Sequence, residues 1–206
     1  MIKWEESKIL ETYSKDYKEM LYNVESMGRV CYQSKKSTEE VTERFIKGLI
    51  KSGHESVLEH ETIGVKLLIS RAIAFEIVRH RIGSYSMEST RYVNYTKKLL
   101  KMLLPKTYPS TIIDYIQESN ERAFNDYCYL INVLGATPEQ AREVLPNNTG
   151  AEIGVTYNIR QWRTFFKQRC SKVAHPEIRY ISMLILKSFI ENYRIFFEDL
   201  EYLLEV

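Results

Sequence analysis

Arg79, His80 and Arg81 stand side by side, Ser89 follows eight residues after Arg81, and Arg91 comes two beyond that. Short polar side chains (Ser84, Ser86, Ser89, Thr90) and one glycine, Gly83, fill the stretch between. Forked guanidinium groups meet phosphate or carboxylate oxygens bidentately and hydroxyls add donors, so the chemistry on offer is anion binding. Cations at a helix C-terminus would also account for Arg79 and His80, but for neither Ser89 nor Arg91. Glu76 and Arg79, three apart, equally suit a helix-surface pair.

A second constellation lies near the C-terminus. At about 100° per residue, a helix starting at Asn158 puts Asn158, Trp162, Phe165 and Arg169 on one stripe, with Arg163 and Lys167 on the other side. An arginine on an apolar stripe needs an anion if it is buried. Two readings fit: Arg169 reaches into a ligand pocket walled by aromatics, or it snorkels past Phe165 to a surface carboxylate. The four histidines (54, 60, 80 and 175) lack metal-ligand spacing. Neither GxGxxG nor GxxxxGK[ST] occurs, so those phosphate loops are excluded.

These residues need elements to position them. Residues 8–13 read as a strand, 15–32 as a helix, and 38–52 as a second helix capped by Ser37 or Thr38 and ended by Gly53. His54 to His60 reads as a polar loop. Residues 62–69 alternate as a half-buried strand, with Ile63, Val65, Leu67 and Ile69 facing one way. Ser70 then caps a short helix carrying Arg71, Phe75 and Arg79 along one side, so the Arg-His-Arg triplet falls where helix gives way to loop. Pro105 and Pro109 mark a boundary before helices at about 110–134 and 138–144. Residues 151–157 alternate again, and helices from Asn158 to about Cys170 and from Pro176 to about Leu203 complete the chain. Long helices with a few strands that do not alternate regularly with them predict an α+β fold, with a small, mostly antiparallel sheet in a single domain over 1–206.

The totals set bounds on function. The 206 residues carry a net charge of +2, too mild to predict nucleic-acid or membrane binding, so any electropositive site is local. Cys31, Cys128 and Cys170 are odd in number and form no CxxC, which favours a reducing, cytoplasmic setting. No signal-like segment opens the chain and no apolar run approaches a membrane span.

Arg79-His80-Arg81, seven residues and Ser89, followed by Arg91-Tyr92, resembles the RHR-x7-S signature of the flavin-dependent thymidylate synthases. His-Glu-Ser-Val-Leu-Glu-His at 54–60, Ala-Arg-Glu-Val-Leu-Pro at 141–146, and Asn158, Arg160 and Arg169 match that family too. The resemblance implies a homotetramer with active sites between subunits, each binding FAD. It also implies reductive methylation of dUMP to dTMP, with methylenetetrahydrofolate giving the carbon and NADPH the electrons. By the same resemblance Arg79, His80, Arg81, Ser56, Asn158 and Arg160 touch the flavin, with Met87 and Thr164 at further positions of that site. Ser89, Thr90, Arg91 and Arg142 hold dUMP, Arg79 and Glu76 lie on the nucleotide side, and His54 sits at the flavin and folate edge. Arg169 contacts the uracil and favours loss of its N3 proton. No metal is implied, and no cysteine acts.

The chain departs from the family at Ser86 and Met87, where many members have Asn and Glu, with the carboxylate one step on at Glu88. Glu76 stands where Gln is frequent, and Thr164 where some members have Asn. A rival reading is a nucleic-acid-binding module using Arg79, Arg81, Arg91, Lys97 and Lys98 on phosphates, with tyrosines stacking on bases. A helical oligomerisation protein is a third, but it leaves the arginine–serine pattern unexplained.

Overall fold

The structure, a computed structural model, describes residues 1–33, 38–105 and 107–205. In chain order the elements are β1 (Ile2–Glu5), β2 (Lys8–Tyr13), α1 (Tyr17–Tyr32), α2 (Glu39–Lys51), β3 (Thr62–Ser70), α3 (Arg71–Ile77), β4 (Ser84–Met87) and β5 (Leu100–Leu103). There follow α4 (Ser110–Asn132), α5 (Pro138–Ala141), β6 (Gly150–Asn158), α6 (Ile159–Arg169), α7 (Pro176–Asn192) and α8 (Arg194–Phe197). Short 3-10 turns cover Glu55–His60, Arg142–Val144 and Glu198–Leu204. A small antiparallel sheet takes the order β2-β3-β6-β4, and β1 pairs in parallel with β5 from Ile2 opposite Leu100 to Glu5 opposite Leu103. The class is α+β, as the element pattern predicts.

The chain divides into two compact units. One comprises Met1–Lys8, Leu67–Arg79 and Ser86–Ile153; the other Ile9–Lys66, His80–Tyr85 and Gly154–Val206. In the first, Tyr95, Leu100, Met102, Phe124, Tyr127 and Ala141 form a core. The second buries Met20, Val24, Ile46, Trp162, Phe166, Phe189 and Phe197.

Several elements sit where the pattern puts them, each for a local reason. The Asp16 carboxylate accepts from the Lys18 and Glu19 amides and opens α1. Gly53 adopts φ +74° after α2, a conformation that costs glycine nothing. Thr38 occupies the N-cap of α2 without a side-chain hydrogen bond, and Ser37 lies outside the described residues. Strand β6 alternates as expected, with Ala151, Ile153, Val155 and Tyr157 buried and Thr156 exposed.

Other expectations are corrected. β3 is not half-buried: Gly64 and Leu68 on its second face are buried as well, so both faces of the strand are covered. Residues 55–60 are a 3-10 turn, not a loop, anchored by the buried Val57 and Leu58. Helix α3 closes at Ile77 with Val78 as its cap, so Arg79 lies beyond the helix and shares no face with Arg71 and Phe75. The last helix breaks at Tyr193 (φ −135°, ψ 42°), after which the Ile195 amide is taken by the Tyr17 hydroxyl at 3.1 Å instead of continuing the helix. β1, β4 and β5 are found only in the structure: four residues each are too few for a periodicity to declare itself.

Candidate active site

In the second unit the arrangement is built on α6. The Asn158 side-chain oxygen caps the helix by accepting the Gln161 amide at 2.8 Å. The Trp162 indole N–H donates to the Ile63 carbonyl at 2.8 Å, and Trp162, Phe165 and Phe166 are all buried. That fixes the rotation of α6 and leaves Arg169, half-buried, in its last turn. The Arg169 Nε–H donates to His80 Nε2 at 3.0 Å. His80 is 7% exposed and meets the Phe165 ring edge-on at 5.0 Å. Burial first, and the Arg169 charge second, push its pKa down to about 4, so at neutral pH the ring is an uncharged acceptor. The neighbouring Arg81 is exposed.

The turn that carries Arg81 lies flat against an aromatic ring. A Cβ on Gly83 would come within 2.2 Å of the Tyr157 ring, so only glycine fits there. The Tyr85 hydroxyl donates to the His80 carbonyl and lies 3.0 Å from the Tyr157 hydroxyl. These contacts fix the His80 backbone.

The 54–60 segment presents His54 and Ser56 to solvent, held from behind by Val57, Leu58 and one ion network. Arg163, which helical periodicity puts on the outer side of α6, is 1% exposed. Its Nη2 bonds Glu55 at 3.1 Å and Asp199 at 2.7 Å, its Nη1 bonds Asp199 at 2.7 Å and the Phe196 carbonyl at 2.5 Å, and its Nε bonds Glu55 at 3.2 Å. All five donors are satisfied. A cavity of about 300 Å³ opens beside this segment, with Gly53, His54, Ser56 and Arg160 among its walls. Arg160 pairs with Glu59 at 2.5 Å, and the exposed Thr164 hydroxyl turns back to the Arg160 carbonyl at 3.2 Å.

In the first unit four expected residues converge. The Ser89 hydroxyl accepts the Arg91 amide at 3.3 Å in a tight turn. Thr90, 5% exposed, receives Arg142 Nη1 at 3.5 Å. Arg142 leaves α5 at its C-cap, and α5 is fixed by a capping box between Thr137 and Gln140. The same helix aims Glu139 at Arg91, with 2.7 Å between Nε and the nearer carboxylate oxygen. Glu88, the displaced carboxylate of the motif, accepts the Tyr95 hydroxyl at 3.1 Å, and burial followed by Glu88 pushes that phenol up. Glu88 is thus engaged within its own unit. Half-buried Met87 borders a cavity of about 680 Å³ that it shares with Glu88, Lys98 and Glu152. Arg79 is exposed, and its amide donates to the Glu76 carbonyl at 3.3 Å.

The structure therefore joins Ser89, Thr90, Arg91 and Arg142 in one unit, and separately joins His80 to Arg169 and Ser56 to Arg160 in the other. Sequence reasoning missed Glu139, whose only signal is the T-P-E-Q capping box, and the Arg163 network, which has no local signal. Among the described residues no group of three or more His, Cys, Asp or Glu is placed to hold a metal, and no helix is long and apolar enough to cross a membrane. Of the cations the nucleic-acid reading would use, Arg91 is engaged by the Glu139 carboxylate of its own unit.

Residues 12–193 match the family described as thymidylate synthase complementing protein. The chain is 33% identical over 182 residues to a flavin-dependent thymidylate synthase of Sulfolobus acidocaldarius, covering 86% of this chain and 70% of that one. It is 36% identical over 170 residues to the enzyme so named from Geobacter sulfurreducens, covering 77% and 72%, and 34% identical over 196 residues to that of Mycobacterium avium, covering 86% and 78%. The chain belongs to this family.

Proposed function

We propose that the protein is a flavin-dependent thymidylate synthase that reductively methylates dUMP to dTMP. Methylenetetrahydrofolate supplies the carbon and NADPH the electrons. The observation that carries the reading is the convergence of Ser89, Thr90, Arg91 and Arg142 in a chain whose relatives bear that name. Arg91 and Arg142 suit the nucleotide phosphate, Thr90 steadies Arg142, and Ser89 positions without attacking. Glu76 and Arg79 belong on the nucleotide side.

The donor set of the second unit fits FAD. Arg160 and Ser56 border a cavity with a guanidinium and a hydroxyl, groups suited to a diphosphate. Asn158 has committed its oxygen to the helix cap, so its NH2 is the group left to donate. Arg81 and Thr164 are further cofactor positions of this unit, with His54 at the folate edge; Arg79 and Met87 are cofactor positions on the first unit. Bound FAD would supply the hydride that reduces the transferred carbon. Arg169 faces the uracil and stabilises the ring anion left when the N3 proton departs, making C5 nucleophilic.

We place the enzyme in the cytoplasm as a homotetramer with subunits meeting around the sites. Exposure of Phe75 (51%), Ile82 (65%) and Tyr92 (78%) close to the motif supports that assembly. The purified protein is expected to be yellow, absorbing near roughly 450 nm, and to oxidise NADPH faster once dUMP is added. A colourless protein that FAD cannot reconstitute overturns the reading.

Glu139 gives a quieter test. Its carboxylate occupies the guanidinium that a phosphate needs, and exposed pairs of this kind are worth about 0.2–1 kcal/mol. Glu139→Gln is expected to lower the KM for dUMP by about 2- to 5-fold at unchanged kcat. A raised KM in steady-state assays would instead make Glu139 the residue that holds Arg91 in place.

A further inference from the structure

We propose that His80 is a positioning residue that acts through Arg169: its imidazole accepts the Arg169 Nε–H and thereby aims the guanidinium at the nucleotide. The inference rests on the role given to Arg169 above. It departs from the expectation that all three residues of the Arg-His-Arg triplet touch the flavin.

Four observations carry it. The first is the 3.0 Å hydrogen bond itself, which uses the one guanidinium donor that no bidentate contact through the terminal nitrogens requires. A guanidinium is planar, so fixing its Nε–H direction fixes where both terminal NH2 groups point. Secondly, the ring has little surface to offer a cofactor: His80 is 7% exposed, packed edge-on against Phe165 at 5.0 Å and tilted toward Tyr157 at 6.4 Å. Thirdly, both ring nitrogens have duties. Nε2 faces Arg169, so the proton sits on Nδ1; the Gln161 amide nitrogen lies 3.5 Å from Nδ1, and turning that carboxamide over by about 180° brings its oxygen there to accept the proton. Fourthly, the backbone at His80 is clamped by the Tyr85 hydroxyl on its carbonyl. An imidazole held at its backbone, its face and its far nitrogen is a rigid support, as second-layer residues are when they fix the orientation of a functional side chain. Burial keeps the ring uncharged, and only an uncharged ring can accept a hydrogen bond from a cation.

The test pairs two His80 variants with Arg169→Ala. His80→Leu is expected to keep its FAD stoichiometry and lose about 30-fold in kcat/KM for dUMP, the scale of one hydrogen bond to a charged group. His80→Gln, whose carboxamide oxygen can take the same Nε–H, is expected to restore turnover to within about 3-fold of the unaltered protein. In the double variant His80→Leu/Arg169→Ala, turnover is expected to match Arg169→Ala alone, since His80 has no second route to the reaction. The tautomer-sensitive 15N shift of His80 Nε2 gives a readout independent of turnover, and it is expected to move when Arg169 becomes alanine. Loss of FAD from both His80 variants, with turnover regained at saturating FAD, overturns the proposal and returns His80 to the cofactor. An Nε2 resonance unmoved by Arg169→Ala overturns the contact itself. A moved resonance with turnover intact in Arg169→Ala overturns the role given to Arg169, and with it the catalytic consequence drawn for His80.

Discussion

Arg163→Ala is expected to destabilise the protein by about 3–5 kcal/mol, the cost of breaking a buried ion pair from one side. For a chain of this size that corresponds to a fall in melting temperature of roughly 6–20 °C. The loss has two parts. The guanidinium is 1% exposed and fills the space between α6 and the C-terminal 3-10 turn, so removing it leaves a cavity. It also abandons the Phe196 carbonyl and the Glu55 carboxylate, whose side chain is 17% exposed. Arg163→Met is expected to recover only the cavity part of that loss, because an unbranched apolar chain refills the volume but leaves the Glu55 carboxylate and the Phe196 carbonyl equally without their donor. Asp199→Asn is expected to be milder than Arg163→Ala, since the Asp199 side chain is 44% exposed and water already shares its charge. Thermal melting of the three variants decides the matter. A shift of a degree or less for Arg163→Ala would mean that the network holds nothing. Because Glu55 lies between His54 and Ser56 and loses its guanidinium anchor in either case, Arg163→Ala and Arg163→Met are both expected to bind flavin more weakly than the unaltered protein.

Arg163 also marks the limit of what α6 shows by itself. Helical spacing separates Arg169 from Arg163 and points to Arg169 as the unusual arginine, and Arg169 does meet His80. The inference that Arg163 faces outward fails because Glu198–Leu204 packs over that side of α6, bringing Asp199 with it. A chain segment returning from thirty-six residues away leaves no mark on the local pattern. The same reasoning separates the strands that could be read from those that could not. β6 alternates over nine residues with one face buried, so its period is visible. β1 and β5 find each other across the chain, Ile2 to Leu100, and owe their existence to that pairing. β4 lies inside the Arg-His-Arg-to-serine motif, where polar residues suggested loop; it is an edge strand beside β6, a place where polar side chains are tolerated. Within the motif, the residue types were legible and their division of labour was not. Ser89, Thr90, Arg91 and Arg142 converge, as anion chemistry demands, while buried His80 turns from solvent to an arginine that the spacing of the triplet never mentions.

Arg169→Ala is expected to keep its flavin and lose about 10³-fold in kcat/KM for dUMP, the scale of removing one fixed donor from a site of developing negative charge. The case begins with what arginine cannot do. It stays protonated throughout the working pH range, so it is not the base that takes the N3 proton. What it can do is sit half-buried, with its Nε–H on His80, and place a fixed positive charge beside an anion as it forms. A cation in a partly dry site stabilises that anion far more than water-screened charge does. Arg169→Lys is expected to recover part of the loss and no more, because an ammonium group restores the charge without the planar fork or the Nε–H that His80 orients. The charge-stabilising role has a further signature. The deficit of Arg169→Ala should shrink as pH rises toward the ionisation of the uracil N3 proton itself, since the ring anion then forms unaided. A deficit constant with pH would mean that Arg169 orients dUMP and does not stabilise its anion. Unchanged turnover at every pH would remove it from the reaction altogether.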